Sequence, residues 1–168
     1  MKKADLHILL VMLLAGAALC GNTALARNAM GKQYAPVSTV PPSQSQVIYY
    51  RADTGTPDGA AHVYVDGEFQ TALLPGGYNA FCLTPGSHTL GSYINDAPAY
   101  AGKREQPWAL TLEGGKTYFM RIDKGSAQQP EMVNRMQAEQ ELSSMHQQIH
   151  TLSRASSVVT CQTRTAQE

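Results

Sequence analysis

The chain has 168 residues, room for one ordinary domain and too few for two. Hydrophobic residues make up 43% and charged residues only 15%, with no long charged block, which excludes wholesale disorder. Thirteen Lys and Arg balance thirteen Asp and Glu, so neither an electrostatic nucleic-acid binder nor a polybasic membrane anchor is expected.

Lys2 and Lys3 precede an apolar run from Leu6 to Leu19, broken only by His7 and Gly16. The run is shorter than the ~20 apolar residues of a membrane-spanning helix. Small residues at Ala24 and Ala26 then suit a signal peptidase. Residues 1–26 read as a signal peptide, with no transmembrane span after cleavage and a periplasmic body. Cleavage would leave 142 residues with 11 basic and 12 acidic groups, a net charge of −1. A retained N-terminal anchor is the alternative. Lipidation at Cys20 is another, although Leu19 fits poorly where such signals want a small residue.

Residues 27–45 carry Pro36, Pro41 and Pro42 among Ser, Gln and Asn, and are expected to form a flexible linker. Residues 46–162 should hold the folded module and residues 163–168 a disordered tail. Val47-Ile48-Tyr49-Tyr50-Arg51 is β-rich, and His62-Val63-Tyr64-Val65 leads through Asp66-Gly67 into Glu68–Leu73. Asp-Gly between such runs signals a two-residue hairpin, because a type I′ turn needs positive φ at both central positions. Tyr78–Leu83, His88–Ile94, Trp108–Leu112 and Thr117–Ile122 follow, separated by Pro-Gly, Asn-Asp and Gly-Gly turns. About seven short strands spaced in this way predict a mainly β protein, an antiparallel β-sandwich.

After Gly125 the pattern changes. Pro130 and Glu131 suit a helix start, and Ala138, Leu142, Met145, Ile149 and Leu152 recur at helical spacing. One C-terminal α-helix is predicted. Its stripe either packs on the sheet or presents Leu142, Met145 and Ile149 to a partner. Ser157–Cys161 could add a last short strand. Without Cys20, two cysteines remain for an oxidising compartment, Cys82 and Cys161, and a disulfide is expected over two free thiols.

Chemical motifs are sparse. His146 and His150 are four apart but lack a third ligand, so no metal is expected. His62 and His88 fall in predicted strands. Gly86-Ser87-His88 puts Ser and His on opposite faces of a strand, and no Gly-x-Ser-x-Gly elbow or phosphate loop occurs. No catalytic constellation and no cofactor are predicted; the protein should not be an enzyme. Trp108, Tyr93, Tyr100 and Tyr118 could instead share one sheet face as a glycan-binding platform, or pack in the core with wet hydroxyls.

Val63-Tyr64-Val65-Asp66-Gly67, Leu74-Pro75-Gly76-Gly77-Tyr78, Pro85-Gly86-Ser87-His88-Thr89-Leu90 and Gly115-Lys116-Thr117-Tyr118-Phe119-Met120-Arg121 occur in that order. They resemble the envelope β-sandwich modules related to PEGA domains, and domains of unknown function in bacterial lipoproteins. Residues 46–161 are more closely similar to the N-terminal module of certain outer-membrane-protein-A-family, peptidoglycan-associated proteins of proteobacteria. Asn95-Asp96-Ala97-Pro98 and the Cys82/Cys161 pair belong to that likeness. Some relatives accompany trimeric autotransporter adhesins at the outer membrane. The resemblance therefore implies a periplasmic accessory factor that binds an outer-membrane or surface-adhesin protein, with peptidoglycan as a further partner. Those relatives continue into a peptidoglycan-binding domain. Leu152-Ser153-Arg154-Ala155 with Val158 is similar to that domain's Leu-Ser-x-x-Arg-Ala-x-x-Val helix but lacks two residues, so no peptidoglycan-binding residue is assigned.

Overall fold

The computed structural model describes residues 29–55, 59–105, 108–123, 129–149 and 152–163. The expected signal peptide, Cys20, His150 and residues 164–168 of the expected tail lie outside them. Ten strands are described: β1 (Met30–Gln33), β2 (Ser45–Tyr50), β3 (Ala61–Val65), β4 (Glu68–Leu73), β5 (Gly77–Leu83), β6 (Gly86–Ile94), β7 (Ala109–Leu112), β8 (Thr117–Arg121), β9 (Glu131–Val133) and β10 (His146–Gln148). An α-helix, α1 (Arg135–Leu142), precedes β10. The fold is mainly β, as expected, with all seven anticipated strands present. Two sheets run in the orders β1-β10-β5-β2-β8-β9 and β4-β3-β6-β7. Pairing is antiparallel except for β2–β8 and β5–β10.

Alternation along β2 defines the layers. Val47 and Tyr49 point between the sheets with Val63, Leu73, Phe81 and Leu90, forming the larger core. Ile48 and Tyr50 point the other way and join Phe119, Ala138 and Leu142 in a second core beneath α1. The strand is thus buried on both faces, which suits its unbroken run of large apolar and aromatic residues. Asp66 and Gly67 both have positive φ, 51° and 76°, as the hairpin between β3 and β4 requires.

Three expectations need correction. The helix ends at Leu142, far short of the apolar stripe. Asn134 caps its start by accepting from the Gln137 amide. After it the Met145 amide turns back to the Leu142 carbonyl, and residues 146–148 pair with β5 and β1. Open strand edges thus override helical periodicity. Second, of the two uses expected for the stripe, Leu142 and Met145 take the core one, packing against the sheet, and so drop out as candidate partner residues. Third, the described part of the 27–45 stretch is no free linker: β1 pairs with β10, Tyr34 and Val37 pack on the second core, and Val40 is buried.

Cys82 and Cys161 are disulfide-bonded, as expected, with an S–S distance of 2.08 Å. Residues 152–162, which carry Cys161, act as a strap across one open side of the sandwich. Its first part follows β4, where the Arg154 amide donates to the Phe69 carbonyl at 2.7 Å and Ser153 Oγ donates to Gln70 Oε1 at 2.6 Å. Its later part bridges β5, with Val159 and Cys82 exchanging backbone hydrogen bonds. Ala155 and Val158 between them seal the inter-sheet core.

Candidate functional site

The β3 pleat that sends Val63 and Val65 inward sends His62 and Tyr64 to the outer face of the four-stranded sheet. Phe69 lies beside Tyr64 on β4, and Tyr93 reaches the same face from β6. Residues 95–105 then fold back over this face, beginning at Asn95 with φ 56°. Asp96 anchors the loop. Its Oδ2 accepts from Tyr64 Oη at 2.6 Å and from the Gly102 amide at 3.2 Å, while Oδ1 accepts from the Ala101 amide at 2.7 Å. Asp96 is only 6% exposed, and every one of these bonds is turned inward. Burial and then this carboxylate push the Tyr64 phenol well above its ordinary value. Gly102 lies flat against the rings beneath: a Cβ there would sit 2.3 Å from the Tyr64 ring and 2.6 Å from the Tyr93 ring. Only glycine permits this approach.

The loop, β3–β4 and the strap enclose a cleft of about 380 Å³, whose walls include His62, Phe69, Tyr100, Lys103, Leu152 and Arg154. His62 stacks on Tyr100 with ring centroids 6.0 Å apart and 11° between planes, and meets Phe69 edge-on at 5.6 Å. Burial pushes the His62 imidazole below its ordinary value, against the opposing pull of Asp96. Tyr100 remains 46% exposed and Leu152 85% exposed. Lys103 and Arg154 are exposed at the cleft, and among the described residues neither forms an ion pair. The arrangement offers apolar and aromatic contact beside two uncommitted cations. That is the chemistry of a binding surface.

Of the four rings expected to form one platform, Tyr93 and Tyr100 reach this face, whereas Trp108 and Tyr118 pack against the inter-sheet core. Tyr93 is buried beneath the loop, and Tyr118 Oη accepts from the Glu113 amide at 2.8 Å. The platform is therefore not assembled as expected: only Tyr100 combines high exposure with a place in the cleft. Ile149 is 50% exposed, away from Leu142 and Met145, and covers Gly31 of β1. Phe69, Lys103, Leu152 and Arg154 were not singled out as binding residues, since no local motif joins positions spread over three separate segments.

A second cleft, about 600 Å³, lies near Asp53, Arg121, Glu141 and His146. Arg121 is committed there to Asp123 at 3.0 Å, Glu131 at 2.7 Å and Glu141 at 2.8 Å, and Tyr50 Oη donates to Glu141 at 2.8 Å. These bonds tie β8, β9 and α1 together, a structural use. His88 is similarly engaged, with Nδ1 2.8 Å from Asp66 and Nε2 2.9 Å from the Thr84 carbonyl. Among the described residues no cluster of His, Cys, Asp and Glu is placed to hold a metal, and no helix is long and apolar enough to cross a membrane. No family model, curated protein or solved structure matches the chain.

Proposed function

We propose that the protein is an exported, non-enzymatic accessory module of the cell envelope that binds an outer-membrane or surface-adhesin protein, such as a trimeric autotransporter. The cleft carries this reading: Tyr100 and Leu152 hold apolar surface in solvent on a backing fixed by Asp96, Gly102 and the disulfide-anchored strap. The signal-like N-terminus and the resemblance of the turn motifs to those of envelope modules support the compartment. The glycan-binding alternative now rests on Tyr100, since Trp108 and Tyr118 are applied to the core.

Site-specific photo-crosslinking in the native cells separates the two. A benzoylphenylalanine at position 100 should join the protein to one envelope protein, while the same group at position 136, on exposed helix surface, should not. Sacculus binding that Tyr100→Ala abolishes, without any protein crosslink, would put the glycan reading in its place.

A further inference from the structure

The proposed partner leaves open what the cleft recognises, and the charges around it narrow the answer. An expected mature chain of net charge −1 places two unpaired cations, Lys103 and Arg154, at one aromatic cleft. They come from separate segments, Lys103 from the folded-back loop and Arg154 from the strap. The nearby Asp96 does not neutralise them in the way an exposed carboxylate would, because it is buried and its oxygens accept from Tyr64, Ala101 and Gly102. The cleft itself is apolar and aromatic, with an aliphatic residue, Leu152, standing in solvent beside it. A sugar ring gains most from a flat aromatic face, and Leu152 offers none; an apolar side chain is matched by both kinds of surface. The strap already takes the Phe69 carbonyl on β4, so strand addition at that point is closed and recognition falls to side chains.

Resting on the binding function above, we propose that the cleft receives an acidic segment of the partner protein. A leucine- or phenylalanine-sized side chain enters among His62, Phe69 and Tyr100, and flanking carboxylates meet Lys103 and Arg154. The charge pairs set orientation and speed encounter, while the apolar anchor supplies most of the contact.

Selection of a random displayed peptide library against the whole mature chain tests this. Enriched peptides should pair Leu, Phe, Met or Trp with Asp or Glu one or two positions away. Exchanging those acids for Asn or Gln should weaken binding about tenfold, as should Lys103→Glu with Arg154→Glu, and added salt should weaken it further. Lys103 and Arg154 are exposed and form no ion pair among the described residues, so the double variant should melt with the parent. Enrichment without acidic residues, binding that survives the charge reversal, or no enrichment at all would overturn the proposal. So would selective binding of a uronic-acid oligosaccharide. A protein crosslink from position 100 combined with any of these would sink this inference alone; failure to crosslink any protein would sink the function it rests on.

Discussion

Breaking the Cys82–Cys161 bond tests the strap as a structural member. The two cysteines are 79 residues apart in sequence. Closing a loop of that size removes about 4–5 kcal/mol of chain entropy from the unfolded state. For a chain of this length each kcal/mol moves the melting temperature by roughly 3 °C, so Cys161→Ser should lower it by on the order of 12–15 °C. Calorimetry of the mature protein, with and without reductant, reads the shift directly. The damage should also be local at first. Without the bridge, residues 157–162 are held by Val158 packed on the core, by the Val159–Cys82 backbone pair, by the Val158 amide on the Ala155 carbonyl and by the Gln44 side chain, which donates to the Thr160 carbonyl at 3.0 Å and accepts from the Gln162 amide at 2.8 Å. Hydrogen exchange should therefore quicken in the strap, and then at β4, well below the global transition. A Cys161→Ser protein that melts within about 3 °C of the parent would refute this account of the strap.

Leu142→Ala should cost about 2–5 kcal/mol by chemical denaturation, because the side chain is fully buried under the six-stranded sheet; Met145→Glu should prevent folding. Gly102→Ala forces the loop off the Tyr64 and Tyr93 rings and should cost about 1–3 kcal/mol, with a visible change in near-ultraviolet circular dichroism. Tyr49 is buried with a hydroxyl that has no partner among the described residues, so Tyr49→Phe should leave the melting temperature unchanged or raise it. Burial raises the carboxyls of Asp66 and Glu141, but hydrogen bonds outweigh it and hold both below their ordinary values: His88 and the Thr89 amide act on Asp66, Gln137, Tyr50 and Arg121 on Glu141. Their stabilising contribution is therefore complete at neutral pH and declines as pH falls below the ordinary carboxyl values of 3.8 and 4.5, through the lower folded ones. Urea melts between pH 7 and pH 2 should show this loss, and Asp66→Asn should flatten part of it.

The strands were legible where local chemistry decides them. Asp66-Gly67 fixes its hairpin through backbone conformation alone, and β2 advertises itself by β-branched and aromatic residues that fill a core on each face. Met30–Gln33, Glu131–Val133 and His146–Gln148 carry no such signal, because each is a strand only by virtue of its neighbour. The apolar spacing of Ala138, Leu142 and Met145 does report the second core faithfully, yet it cannot say where the helix stops. The cleft was hidden for a related reason. Its rings come from β3, β4 and a loop and its cations from that loop and the strap, positions that converge only once the sheet has formed.

The pairing of β1 with β10 has a consequence for the order in which the molecule assembles. The six-stranded sheet recruits strands from near both ends of the described chain, and the Gln33 side chain reaches the Ser143 carbonyl across 110 residues of sequence. Such distant partners make for slow, late-closing folding. Nascent chain still lacking residues 146–148 would have an unpaired first strand and an incomplete second core, because Met145 would barely have emerged. Assembly of this sheet therefore waits until residues 146–148 have been made, long after the first strand they pair with.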